Sequence, residues 1–304
     1  MTDITPPVLV TLASGHIRGV GLRVVELSRE LGVPVRAMVR LVNERSAQLR
    51  SLGAEVVADD LTKMEEVFPI VRGCRRIYLS ISLSPQYVEV MAAAAGAARD
   101  LELIINMSIY NVSFTSPYEA TKSPQHEEIF NQSSVPVTHP QPTLFFRIPL
   151  LWDLVAASIQ DLGKIRLPFG RGRFAPINSN DMAEVTAKVS LDPAKYKEQI
   201  LELTGTNSED IKAIAGEYAA ALCRPVEYKD IPLYTFHNKV LTSPALEIHT
   251  HTARHLRTLR KLYAANKFYF SSKAVKGILG QPATSIYNVI KDPSGGFPIA
   301  SRTP

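Results

Sequence analysis

Two rhythms of apolar and polar positions alternate along the first hundred residues. Largely apolar runs of strand length occur at Val8 to Thr11, Val35 to Val39, Ala54 to Ala58, Arg76 to Ile81 and Leu103 to Ser108. Between them lie stretches of helical character: Gly21 to Leu31, Glu44 to Leu52, Lys63 to Val71 and the alanine-rich Gln86 to Leu101. In the first of these Leu22, Val25, Leu27 and Leu31 fall near helical spacing, and Gly32 and Gly53 stand where helices stop. Strands alternating with helices at this pace predict an α/β fold, a Rossmann-like doubly wound parallel sheet covered on both faces. The ligand of such a sheet lies beyond the carboxyl ends of its strands, at the topological switch point.

Beyond about residue 150 the pattern loosens. Helices are expected over Asp153 to Leu162, Asn180 to Ser190 and Ser208 to Leu222, the last capped by Ser208 or Asn207. Short strands are expected at Arg173 to Ile177, Ile200 to Leu203 and Val226 to Lys229. Residues 244–268 read as a basic helix, and the tail from Asp292 as turns. The expected organisation is a dinucleotide-binding domain over 1–150 and a smaller α/β substrate region over 151–304, interleaved with the first domain.

The first strand runs into a glycine-bearing loop, Thr11-Leu-Ala-Ser-Gly15-His-Ile-Arg18-Gly19-Val-Gly21. A dinucleotide loop uses one glycine for a tight turn, one to admit the pyrophosphate and one for helix–strand packing. The free N–H groups and positive end of the following helix then face the phosphates. Gly21 occupies the last of these glycine positions, but Leu12 occupies the first, and the interval is about three residues longer than the compact form. Gly15 and Gly19 lie inside this longer loop, and Arg18 is within reach of a phosphate. Arg40 ends the second strand, where an arginine suits a 2′-phosphate, and Arg36 lies on the same strand.

Charge and cysteine content narrow the classes. The net charge is +5, but the basic residues are scattered without an aromatic-interleaved stripe, so no nucleic-acid partner is expected. No apolar stretch approaches the ~20 residues of a membrane helix, and Met1 to Pro7 lacks the features of a signal peptide. Cys74 and Cys223 form no disulfide framework, which fits a reducing, cytoplasmic compartment. The three Asn-x-Ser sequons are then chance matches. His251 and His255 lie four apart, but neighbouring Arg254 and Arg257 would repel a cation, so no metal site is expected. A small-molecule substrate is the expected partner, with a homodimer left open.

Several co-linear segments carry a resemblance. Val24-Val-Glu-Leu-Ser-Arg-Glu-Leu-Gly-Val-Pro-Val-Arg-Ala-Met-Val-Arg40, Gly53-Ala-Glu-Val-Val-Ala-Asp-Asp-Leu61, Phe174-Ala-Pro-Ile-Asn-Ser-Asn-Asp-Met-Ala183, Leu201-Glu-Leu-Thr-Gly205 and Arg224-Pro-Val-Glu-Tyr228 recur in order. Together they resemble the NmrA-like family of atypical short-chain dehydrogenases/reductases over nearly the whole chain. The resemblance implies NADP(H) as the nucleotide, held by Thr11, Gly15, Arg18, Gly19, Gly21, Arg36, Arg40, Asp60, Leu61 and Ser80. The chain departs from the family's pattern at the glycine loop and at Pro140-Gln141-Pro142, where an arginine is usual.

Tyr118-Glu-Ala-Thr-Lys122 has the Tyr-x-x-x-Lys spacing of short-chain dehydrogenases. Residues four apart share a helix face. An ammonium beside a phenol favours phenolate, which lets the tyrosine exchange a proton near neutral pH. Ser108 ends the fifth strand, where its hydroxyl is placed to bond a substrate oxygen, and His126 is a second acid/base candidate four residues past Lys122. Phe145, Phe146 and Trp152 are candidate walls of an apolar pocket.

The expected function is an NADP(H)-dependent reductase of a carbonyl or activated double bond in an apolar, aromatic secondary metabolite. One alternative is a redox-silent isomerase, dehydratase or cyclase in which Leu12 and the longer loop occlude the nucleotide. Another is a regulator that senses NADP(H).

Overall fold

The computed structural model describes residues 6–14, 19–58, 63–80, 94–97, 101–110, 123–132, 135–147, 149–238, 250–292 and Phe297. In chain order the elements begin β1 (Val8–Val10), α1 (Val20–Glu30), β2 (Val35–Val39), α2 (Glu44–Ser51), β3 (Glu55–Ala58) and α3 (Met64–Val71). There follow β4 (Arg76–Leu79), β5 (Leu103–Asn106), α4 (Ser123–Asn131), β6 (Val137–Pro142), α5 (Pro149–Leu162), β7 (Lys164–Leu167) and β8 (Arg173–Phe174). Next are α6 (Ser179–Leu191), α7 (Pro193–Tyr196), β9 (Gln199–Leu203), β10 (Glu209–Asp210), α8 (Ile211–Leu222) and β11 (Glu227–Asp230). The last are α9 (Leu233–Phe236), α10 (Thr250–Ala264), α11 (Ala274–Leu279) and α12 (Ile286–Lys291).

The chain divides into two compact units, one of Met1–Pro142 with Ser179–Glu202 and one of Thr143–Asn178 with Leu203–Pro304. The first holds a seven-stranded sheet of order β3-β2-β1-β4-β5-β6-β9, in which each pair from β3 through β6 is parallel. Strand order reverses at β1, which has β2 on one side and β4 on the other, so the switch point of this Rossmann-like sheet lies at its carboxyl end. All residues of β1 and β5 are buried, as expected of strands covered on both faces. Helix α1 buries Val20, Gly21, Val24, Val25 and Ser28, a stripe at helical spacing, and packs on α6. Helix α6 therefore belongs to the sheet unit although the chain reaches it only after passing through the other.

Strand β6, Val-Thr-His-Pro-Gln-Pro, is wholly buried yet carries three polar side chains. Its prolines lack N–H groups but not acceptors: Ser108 N donates to Pro140 O and Tyr110 N to Pro142 O, both at 2.9 Å. The second unit pairs β7 with β11 and β8 with β10. Phe169, Phe174, Tyr263 and Phe268 form its aromatic core, with Tyr263 stacked on Phe268 at 4.3 Å. The strand β7 and the helices α11 and α12 have no counterpart in the sequence expectations. Each spans four to six residues, too short for a period to register. No helix among the described residues is long and apolar enough to cross a membrane.

Candidate functional site

The turn after β1 is built around two backbone facts. Leu12 adopts φ 48°, in the left-handed region that favours glycine, so the tight turn survives although its usual residue does not. Gly21, in the first turn of α1, lies so close to this turn that an added Cβ would be 2.6 Å from Leu12 O and 3.1 Å from Ala13 Cα. Gly19 caps α1 with φ 77° and ψ 23° and offers no side chain. No acidic residue stands in the first turn of α1, so the positive end of its dipole is uncompensated there. A glycine-capped, acid-free helix start at the switch point fits a dinucleotide pyrophosphate.

At the carboxyl end of β2, Arg40 is exposed and has no hydrogen-bond or ion-pair partner among the described residues. The following turn is fixed by a capping box: Asn43 Oδ1 accepts from Arg45 N and Ser46 N, while Ser46 Oγ accepts from Asn43 N. Arg45 Nη1 reaches back to Ser14 O at 3.3 Å, tying this turn to the β1 turn. Nothing in the sequence reading singled out Arg45, although it lies only five residues past Arg40.

Arg36 is placed differently from its expected cofactor role. It pairs with Leu9 and Glu55 near the amino ends of the strands, roughly 13 Å along β2 from Arg40. Its guanidinium donates to Glu55 Oε2 (2.9 Å), Ile70 O (2.7 Å) and Arg72 O (2.8 Å). It is a clamp between strand and helix at the end opposite the site. Cys74 lies in the same place, buried, and burial pushes its thiol pKa up.

Thr11 and Ser80 are brought together at the ends of β1 and β4. Thr11 Oγ1 donates to Ser80 O at 2.7 Å and accepts from Ser80 N at 2.8 Å. With Thr11 fully buried, that hydroxyl is committed to joining the strands rather than to a ligand. Ser80 Oγ in turn lies 3.8 Å from Met107 Sδ.

Between β5, β6 and α4 stands a two-rung polar ladder. In one rung Asn106 Nδ2 lies 3.1 Å from His139 Nδ1, and His139 Nε2 3.3 Å from Asn131 Oδ1. With the amide donating, the imidazole proton sits on Nε2. Burial lowers the His139 pKa, against the opposing pull of Glu127. In the other rung Ser108 Oγ donates to Glu127 Oε1 at 2.5 Å, and Gln141 Nε2 donates to the same oxygen at 2.9 Å. Ser108 is thus buried and its hydroxyl is turned to Glu127, not left facing a substrate oxygen as expected. The sequence reading gave no role to Glu127, His139 or Gln141, which the structure brings together here. Their signal was present as polar pairs two apart on each strand, Asn106/Ser108 and His139/Gln141, facing a pair four apart on the helix, Glu127/Asn131. Tyr110, at the same sheet end, has its phenol pKa raised by burial and by Glu202.

In the second unit Phe145 and Phe146 are buried and Trp152 is 1% exposed. Trp152 packs edge-on against Phe297 at 4.7 Å, and Phe146 is 6.1 Å away. The apolar cavity beside Phe146, Phe169 and Phe174 holds only about 40 Å³. That is far below a ligand pocket, and with Phe145, Phe146 and Trp152 all buried these rings pack as core among the described residues of this unit. Gly15, Arg18, Asp60, Leu61, Tyr118 and Lys122 lie outside the described residues. His126 falls in α4 with its side chain likewise outside them.

A parallel sheet reversing order at β1, with a glycine-capped helix opening on that point, defines the chain as a Rossmann-like protein of the dinucleotide-binding type. Within that class the chain belongs to the NmrA-like family, whose model matches residues 5–277. It is similar to the NAD(P)H azoreductase of Xenophilus azovorans, 24% identical over 225 residues covering 73% of this chain and 77% of that protein. The fold is shared with the triphenylmethane reductase of Citrobacter sp. complexed with NADP(H), with a TM-score of 0.79, 17% identity and coverage of 94% and 99% of the two chains. NmrA, a negative transcriptional regulator in complex with NADP, also shares it, with a TM-score of 0.77, 14% identity and 97% coverage of each chain.

Proposed function

We propose that this chain is an NADP(H)-dependent reductase acting on a carbonyl or activated double bond of an apolar, aromatic metabolite. The observation that carries the reading is Arg40. Its guanidinium is exposed and without a partner among the described residues at the carboxyl end of β2, the same sheet end as the glycine-capped helix start. An unpaired arginine at this strand end suits a 2′-phosphate, where an acid would suit a ribose hydroxyl. The nearness of the chain to an NAD(P)H azoreductase supports the same chemistry.

In this reading the backbone of Gly19 to Gly21 and the N–H groups of α1 hold the pyrophosphate, and Arg40 holds the 2′-phosphate. Bound NADPH supplies a hydride. Tyr118 and Lys122 handle the proton, the lysine favouring phenolate. Thr11 and Ser80 keep β1 and β4 in register beneath the site, and the ladder of Glu127, His139 and their partners fixes α4 against β5 and β6.

The test is calorimetric titration with NADPH and NADH, followed by NADPH oxidation with quinone and azo acceptors. Micromolar NADPH binding that weakens about tenfold in Arg40→Ala, together with turnover, is expected. Absence of binding to either nucleotide would overturn this reading and leave a redox-silent enzyme. Binding without turnover on any acceptor would favour a nucleotide-sensing regulator.

A further inference from the structure

We infer that a small cavity in the second unit, walled by Pro176, Ile214 and Ile286 and edged by Glu209 and Glu217, binds the ammonium end of a short aliphatic amine. The inference goes beyond the reductase reading and does not depend on it, since every residue that carries it lies within that unit.

The chain around the two carboxylates brings them together. Gly205 crosses Pro176 so closely that an added Cβ would overlap the Pro176 carbonyl oxygen, and Gly205 N donates to Ala175 O at 3.2 Å. That crossing leads into β10, where Glu209 pairs with Phe174. Glu217 comes from the middle of α8, which packs on α12. Its Oε2 accepts from Tyr287 N at 3.1 Å, and Ile286 N also donates to the carboxylate, so Glu217 is pinned at the start of α12.

The space between them is negative and lacks a counter-ion. No lysine or arginine is among the residues that line it, and neither carboxylate has an ion-pair partner among the described residues. Arg173, opposite Asp210 in the strand pair, is turned to Ser208 O at 2.9 Å and to the Tyr269 ring at 4.9 Å. Burial pushes the Glu217 carboxyl above the usual carboxylate range; the Tyr287 and Ile286 N–H groups oppose this, and the charge of Glu209 adds to it. The starts of α8 and α12 contribute at most roughly half a positive charge each. Against them stand Glu209, Glu217 and Asp210, the last capping α8, so the balance stays negative.

Shape and lining decide which cation fits. The cavity holds about 150 Å³, too little for a whole metabolite but enough for the end of a chain. A bare metal ion would leave the apolar walls unmet, and no group of three His, Cys, Asp or Glu side chains that could hold one occurs among the described residues. A guanidinium is matched best by both oxygens of one carboxylate, and Glu217 has one committed to Tyr287. A primary ammonium is a compact charge with three rotatable donors on an aliphatic stem. It meets carboxylates that arrive from separate elements and lays its methylenes on Pro176, Ile214 and Ile286. The Thr206 hydroxyl, which donates to Ala283 O at 3.1 Å, keeps its lone pairs for a further N–H.

The test is equilibrium binding of n-butylammonium and of 1-butanol, its neutral isostere, followed by backbone amide NMR shifts on the whole chain at fixed ionic strength. The native protein is expected to bind the ammonium roughly 10-fold more tightly, with shifts centred on Thr206, Glu209 and Tyr287. Glu209→Gln removes one charge and leaves the α12 contact of Glu217 in place; it is expected to lose most of that preference. Glu217→Gln keeps an oxygen for Tyr287 N and is expected to behave alike. Equal binding of both probes by the native protein, shifts centred elsewhere, or an unchanged preference in Glu209→Gln would overturn the inference. So would calcium, titrated as a third probe, if it shifts the same amides while the ammonium does not. Should Glu217→Gln fail to fold, Glu209→Gln decides alone, because the Glu209 carboxylate accepts no hydrogen bond among the described residues.

Discussion

Gly21 sits beneath the carbonyl of Leu12 with no room for a methyl group: an added Cβ would be 2.6 Å from that oxygen. The contact is backbone on backbone, so no side-chain rotation can relieve it. Gly21→Ala must therefore push α1 away from the β1 turn. Urea unfolding is expected to show a loss of about 1–3 kcal/mol, as for other overpacked sites, with weaker NADPH binding because the helix start moves.

Leu12 itself is the converse case. Its φ of 48° costs a non-glycine residue about 1–2 kcal/mol. Leu12→Gly removes that strain but adds about 0.5–1 kcal/mol of unfolded-state entropy. The net change in unfolding free energy is expected to be a small gain, and NADPH affinity is expected to hold or rise. A large loss of stability would mean that the side chain of Leu12 contributes more packing than the turn costs.

Arg36 and Arg40 lie on one strand but separate by function. Arg36→Ala leaves the carbonyls of Ile70 and Arg72 without their donor, and a loss of about 1–3 kcal/mol is expected with NADPH affinity preserved. Arg40→Ala removes an exposed group with no partner among the described residues, and stability is expected to change by less than about 0.5 kcal/mol. Its effect should fall on NADPH and spare NADH. Paired melts and titrations of the two variants decide the matter.

His139 links stability to pH. Burial holds its pKa below the ordinary 6.5, so the unfolded chain takes up a proton that the folded chain refuses. This contribution is complete above about pH 6.5 and is lost as pH falls through the lower folded value. Thermal melts from about pH 7.5 down to about pH 5.5 are expected to show a falling Tm. In His139→Gln that part of the slope should be missing; an identical slope would assign the acid sensitivity to other groups.

Much of the frame was determined locally by the sequence. Apolar runs such as Val8 to Val10 and Leu103 to Asn106 are buried on both faces in the sheet, and α1 forms where the helical spacing predicts it, with Gly32 behind, but of Leu22, Val25, Leu27 and Leu31 it fully buries only Val25, with Leu31 exposed. Arg40 stands at the end of β2 because a strand's end can be read from the chain. The same reading could not separate Arg36 from Arg40. The two are on one strand, and only pairing with β3 and packing of α3 decide which guanidinium is consumed. Tertiary structure alone also decided the ladder. Ser108, Glu127 and Gln141 are scattered along the chain, and β6 looks too polar and too proline-rich to be a buried strand. Its hydrogen bonds run to α4 just before it, to β5 about thirty residues earlier and to Tyr196 and Glu198 about sixty residues later. Local pattern specifies which face an element buries; which polar groups meet there depends on contacts between elements distant in sequence.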